Sequence, residues 1–145
     1  METLHLRHAC IEDAVLLAPL NAQLIQDEGH RNAMTVHELA ERMAAWLRAD
    51  YRAAIFEVSG SPVGYALYRV GPEHVYLRQL FVRSDFRRRG FGRQALEWLW
   101  RNSWAGAPRL RIDVLVGNTS GAAFWRAVGF KDYCLTMEME RPIDI

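Results

Sequence analysis

The chain has 145 residues, half of them hydrophobic, and its 18 Lys+Arg against 17 Asp+Glu leave a formal net charge of +1. That length is one domain, 1–145, able to build a core without disulfide or metal staples. The even charge argues against a nucleic-acid partner, whose footprint is usually a strongly basic domain. No apolar run approaches the roughly 18 residues of a membrane span, and Met1–Arg7 lacks the apolar stretch of a secretory signal, so a cytoplasmic protein with no membrane partner is expected.

In chain order, Thr3–Arg7 alternates as a first strand, with Leu4 and Leu6 inward. Ile11–Gln26 carries Ile11, Val15, Leu16, Leu20 and Leu24 at helical spacing, with Pro19 predicting a kink or a break. Gly29–Ala33 is polar loop, and Thr35 with Glu38 forms a capping box opening a second helix to about Arg48, whose buried stripe is Leu39, Met43, Trp46 and Leu47. Three strands follow, Ala53–Val58, Val63–Val70 and Val75–Val82, separated by turns at Ser59–Pro62 and Gly71-Pro72. A helix then runs to Trp104, with Phe91, Ala95, Trp98 or Leu99, and Asn102 on one face; Gly106–Pro108 ends it. Leu110–Val116 reads as a strand, a helix capped by Ser120 or Thr119 runs to about Val128, Gly129 is its C′ glycine, and Tyr133–Met139 reads as a last alternating strand. Cys10 and Cys134 make no metal-ligand spacing and read as buried free thiols; no metal site is expected. The order β-α-α-β-β-β-α-β-α-β predicts an α/β (α+β) domain, antiparallel hairpins first and then a parallel strand–helix–strand unit. Trp98, Trp100 and Trp104 occupy more than one helical face, so one is left partly exposed, which leaves room for a homodimer.

The chemistry concentrates at Arg87-Arg88-Arg89-Gly90-Phe91-Gly92-Arg93, between an apolar strand and a helix start. The first amides of a helix have no intrahelical partner, the helix dipole adds positive potential, and glycine admits an anion close to the backbone. Together with Arg83 these arginines suit a small polyanion better than a duplex. A Walker-type ATP loop is excluded, because Lys131 is the only lysine. A dinucleotide fingerprint is disfavoured: Ala95 stands where the third glycine would fall, and no acidic residue follows at the required place.

Three patterns in order resemble the GNAT acyltransferase superfamily: Arg87-x-x-Gly90-x-Gly92, the strand ending Leu80-Phe81-Val82 just before it, and Asn118 followed by Phe124-Trp125 and Gly129-Phe130. The resemblance spans essentially the whole chain, although the two N-terminal helices match only in kind. It implies a GNAT-like mixed, mostly antiparallel central sheet flanked by helices, with a splayed parallel strand pair at the acyl-CoA site. It also implies acetyl-CoA as co-substrate and transfer of its acetyl group to a primary amine of a small molecule or a protein. Carried over by position, the loop from Arg87, Arg88 and Arg89 through Gly90, Phe91, Gly92 and Arg93 would hold the pyrophosphate. Backbone near Leu80, Phe81 and Val82 would hold the pantetheine arm, and Asn118 and Phe124 would complete the cofactor site.

Direct transfer needs a neutral amine and hence a base. Asp113, five residues before Asn118, is the favoured base; the alternative is a structural carboxylate paired with Arg78 or Arg111. Glu73 and His74 are further candidates, or a solvated turn. Where the family usually has an acid tyrosine this chain has Trp125, which either hydrogen-bonds sulfur or packs beside Phe124 and Phe130; Tyr133 is one candidate for the acid, and the alternative is that the thiolate leaves unassisted. For the acceptor, Asp27, Glu28, His30, Tyr76 and Arg78 fall by family analogy around the cleft. Asp27 and Glu28 suit a cationic amine and Arg78 a carboxylate, and a solvated surface is the bland alternative. The competing function is a catalytically weak CoA-binding or sensor domain.

Overall fold

The computed structural model describes residues 2–145. Its sheet has five strands in the order β1 (Leu4–His8), β2 (Tyr51–Val58), β3 (Ser61–Val70), β4 (Val75–Val82) and β5 (Leu110–Arg111). Four helices flank it: α1 (Ala14–Glu28), α2 (Val36–Arg48), α3 (Phe91–Asn102) and α4 (Thr119–Ala127). β1 to β4 pair antiparallel, and β4 with β5 is the parallel pair. The mixed, mostly antiparallel sheet expected from sequence is therefore present, and β4 has the expected bounds.

The sheet separates two cores, because alternate residues point to opposite faces. Ala53, Ile55, Tyr65, Leu67 and Phe81 pack under α1 and α2 with Leu17, Leu24 and Met43. Ala54, Phe56, Ala66, Tyr68 and Leu77 pack against α3 with Phe91, Ala95, Leu96, Leu99 and Trp104. Leu4 and Leu6 join the second core, as the alternation of β1 predicts. The capping box of α2 forms as read, Thr35 Oγ1 accepting from the Glu38 amide and Glu38 accepting from the Thr35 amide. Trp100 stands 39% exposed while Trp104 is buried.

Several expectations are corrected. Ile11 belongs to a short 3-10 turn, and Val15 is 75% exposed; the buried face of α1 is Ala14, Leu17, Ala18, Leu20, Asn21 and Leu24, a stripe built partly of alanines that hydropathy alone underweights. Pro19 does not break α1, which runs through it from Ala14 to Glu28 with the proline on the exposed side. α3 ends at Asn102, which is exposed and bonds back to the Trp98 carbonyl rather than facing the core. Asn118 caps α4, not Ser120 or Thr119, its Oδ1 accepting from the Gly121 amide. Cys10 and Cys134 are free but exposed. β5 has two residues rather than seven, and the segment Tyr133–Met139 joins no sheet. Its Tyr133, Leu135, Met137 and Met139 are 66–85% exposed. Alternation makes a segment competent for a strand; pairing needs a neighbouring edge, and β5 offers almost none. No helix among the described residues is long and apolar enough to cross a membrane, and among them no group of three or more His, Cys, Asp or Glu is placed to hold a metal ion.

Candidate active site

β4 organises the site. It pairs with β3 from Val75 to Val82 but with β5 only at Val75↔Leu110 and Tyr76↔Arg111. Beyond Tyr76 the two strands part, and the outer edge of β4 from Leu77 to Val82 has no ladder partner among the described residues. A register jump opposite Leu67 and Tyr68 makes Arg78 the extra residue of a bulge, a device that re-aims a side chain and bends a strand.

After β4 the chain makes one 3-10 turn, Ser84–Phe86, and enters the loop that starts α3. Arg88 has φ 62° and Gly90 φ 78°, both left-handed; the first is unusual for a residue with a Cβ. These bends leave the amides of Arg88, Arg89, Gly90, Phe91, Gly92 and Arg93 without an acceptor among the described residues, the first closed bond of α3 being Gln94 N–H to the Gly90 carbonyl at 3.0 Å. Six successive free amides at a helix N-terminus are the kind of donors an anion-binding site uses. Gly92 has a second reason to be glycine: a Cβ there would sit 3.0 Å from Cζ of Phe124, so α4 closes directly on the start of α3.

The loop's arginine side chains are mostly engaged. Arg87 donates from Nε to the Val82 carbonyl at 2.7 Å and from its terminal nitrogen to Asp27 at 2.6 Å, bracing the end of α1 against the end of β4. Arg83 pairs with Asp85 at 3.0 Å, and Arg89 pairs with Glu2 and donates to the Asp85 carbonyl. Arg88 and Arg93 have no ion-pair or hydrogen-bond partner among the described residues.

At the other end of the split, Tyr76 O–H donates to Asp113 at 2.6 Å. Burial first, and then Asp113, push the Tyr76 hydroxyl up to about 12, so it stays protonated and keeps a lone pair free. The ion pair with Arg78 or Arg111 weighed for Asp113 is not formed: Arg78 donates to the Tyr51 hydroxyl at 3.3 Å, and Arg111 to the Tyr133 hydroxyl at 3.3 Å. Tyr133 itself is 78% exposed on the extended tail. Trp125 lies edge-on between Phe124 and Phe130, centroids 5.0 and 5.1 Å away, the packing alternative foreseen for it. Glu73 and His74 lie in the β3–β4 turn, at the opposite end of β4 from the arginine loop. Of the acceptor residues expected from sequence, Tyr76 and Arg78 share the α1/α2 face. Asp27 is held by Arg87, and Glu28 pairs with His30 at 2.8 Å. Asn118 contributes its carboxamide to the α4 cap. Sequence reading missed Arg42, Trp46 as an arginine platform, Tyr51 and Arg69. They come from three elements, and no spacing links them.

A split strand pair and a loop of free amides at a helix start belong to a fold with known counterparts. The sequence profile of the acetyltransferase (GNAT) family matches residues 21–130, and the chain belongs to that family. Solved structures agree in fold. An acetyltransferase from Thermus thermophilus is 28% identical, each chain covering 90% of the other, with TM-score 0.72. An aminoglycoside N-acetyltransferase in complex with CoA is 18% identical over 97% of this chain and 96% of that one, with TM-score 0.79. A ribosomal-protein-alanine N-acetyltransferase from Brucella melitensis is 16% identical over 96% and 100%, with TM-score 0.79. No curated protein sequence matches the chain significantly.

Proposed function

We propose that this protein is an acetyl-CoA-dependent N-acetyltransferase that moves an acetyl group by direct transfer to a primary amine of a small molecule or protein. The observation that carries this reading is the run of free amides from Arg88 to Arg93, placed where β4 has parted from β5. A pyrophosphate fits there: the donors are backbone groups fixed by the fold, and the helix end adds positive potential. Arg88 and Arg93 are the side chains left to meet phosphate, and the open edge of Leu80, Phe81 and Val82 is the track for the pantetheine arm.

Acetyl-CoA supplies an acetyl carbon activated by its thioester. The amine nitrogen forms the new N–C bond as the C–S bond breaks, sulfur leaves with the electron pair, and the amine's proton passes to Asp113. Because Tyr76 already donates to that carboxylate, the proton reaches Asp113 either directly or across the Tyr76 hydroxyl. The second reading, a CoA-binding or sensor domain with weak catalysis, is favoured by one observation: Trp125 is packed between two rings and Tyr133 stands in solvent, so neither is an evident acid for the thiolate. Exposed free thiols at Cys10 and Cys134 fit the reducing cytoplasm.

The test is calorimetric titration with acetyl-CoA on wild type and Gly92→Glu. The substitution puts a carboxylate among the free amides and a Cβ against Phe124, and a loss of at least about 100-fold is expected, since charged groups in such sites weigh several kcal/mol. Unchanged affinity would refute the loop assignment. Gly92→Ala is the folding control, keeping most of the affinity. Thiol release from acetyl-CoA with an amine panel then separates the two readings: binding without turnover on any amine favours the sensor.

A further inference from the structure

Three guanidinium groups gather over three rings where the end of α2 meets β2, β3 and β4. Arg42 lies 4.4 Å and Arg78 4.8 Å from the Trp46 ring centre. Arg78 also lies 5.9 Å from the Tyr51 ring, and Arg69 lies 5.5 Å from Tyr51 and 5.8 Å from Tyr76. No carboxylate forms an ion pair with any of the three among the described residues. Arg42 gives one nitrogen to Asn21 Oδ1 at 3.2 Å, while its Nε is buried with no acceptor. Burial, and then the charge of Arg78, pull the Arg42 guanidinium below its ordinary range.

Arg69 and Arg78 are solvent-exposed and Arg42 is partly buried, so water screens much of their repulsion, and the buried Arg42 Nε without an acceptor is the unfavourable group. An anion would offset the three charges and offer acceptors to the terminal nitrogens of their planar donor forks. The place is specific. Tyr76, the third ring of the floor, is the residue whose hydroxyl meets Asp113, and Arg78, two residues on, shares its face by strand alternation. The acidic groups that suggested a cationic acceptor are engaged elsewhere, Asp27 ion-paired with Arg87 at 2.6 Å and Glu28 hydrogen-bonded to His30 at 2.8 Å.

We infer that the acceptor is a small amine that also carries a carboxylate, its anionic group held by Arg78 with Arg42 and Arg69 and its amine turned toward Asp113. The inference names the substrate class of the activity proposed above and rests on that reading. It disfavours polycationic amines such as polyamines and aminoglycosides, which would bring positive charge to three uncompensated arginines.

Calorimetric titrations on the protein alone and on the CoA-saturated protein test it. The probes are α-amino acids, β-alanine, γ-aminobutyrate and dialanine, each beside its own carboxamide, with spermidine as the polycation. At least one carboxylate is expected to bind about tenfold or more tighter than its amide. Arg78→Met should bring that ratio to about one while leaving acetyl-CoA affinity unchanged, and Arg69→Met reads the same preference should Arg78→Met fold poorly. Spermidine binding more tightly than every carboxylate, no carboxylate surpassing its amide, or a preference surviving in both variants would overturn the inference. Failure of acetyl-CoA to bind would instead sink the transfer reading, and the titrations without CoA still decide the anion subsite. Separate results for free amino acids and dialanine show whether a single residue or a peptide supplies the carboxylate.

Discussion

Both ends of β4 are rich in arginine, and the fold treats them in opposite ways. At the loop end, Arg83, Arg87 and Arg89 are each tied to a carboxylate, and six backbone amides stand free. At the Tyr76–Arg78 end, Arg42, Arg69 and Arg78 lean on rings, and no carboxylate meets them. The loop therefore offers an anion its backbone and uses most of its arginines as braces, whereas the other end offers side chains. Backbone donors are positioned by φ/ψ and depend little on residue identity away from Gly90 and Gly92. Side-chain donors depend on single residues, so the two ends should answer mutation differently.

The largest effect expected at the side-chain end is from Asp113→Asn. With the base removed, kcat should fall by about 10²–10³, the acid limb of the pH–rate profile should disappear, and acetyl-CoA affinity should hold. Tyr76→Phe, which removes the partner bonded at 2.6 Å, should lower kcat less. Equal losses of melting temperature in both variants with kcat unchanged would make Asp113 a strut and this end mere packing.

At the loop end, Arg88→Ala with Arg93→Ala should weaken acetyl-CoA binding about tenfold, roughly what one or two charge-assisted contacts contribute. Arg83→Ala with Arg89→Ala should cost at most about twofold, since exposed pairs are worth little. Titrations at two salt concentrations check this. Equal losses in the two double variants would erase the distinction between phosphate-facing and bracing arginines.

How far each end could be read in the sequence follows from how it is built. β4 was legible to the residue because Gly71-Pro72 bounds one side and the basic turn the other. The turn into α3 was legible because Gly90 and Gly92 mark it within consecutive residues, and Thr35 with Glu38 announced α2 in the same local way. The arginine platform was illegible: Arg42, Trp46, Tyr51, Arg69, Tyr76 and Arg78 meet only after α2 docks on the paired strands, and no spacing within one element joins them. Leu110–Val116 and Tyr133–Met139 failed for the converse reason. Their patterns are strand patterns, but β4 and β5 diverge after Arg111, so the partner edge is missing.

A small gain in affinity sharpens the comparison most finely. Asp27→Asn removes the carboxylate 2.6 Å from Arg87 but leaves Arg87 Nε on the Val82 carbonyl at 2.7 Å, so the side chain keeps its anchor and only its charge is released. If loop arginines fail to attract phosphate merely because carboxylates already neutralise them, acetyl-CoA affinity should rise by about twofold to threefold at low salt, as an exposed pair is worth up to about 1 kcal/mol. The gain should fade near about 1 M salt, where the screening length is roughly 3 Å. Both partners are about two-fifths exposed, which caps the size of the effect. A fall in affinity would mean that the ion pair sets the loop's shape rather than masking its charge. The amides from Arg88 to Arg93 would then depend on the end of α1 for their alignment, and the loop would be less a backbone device than its free N–H groups suggest.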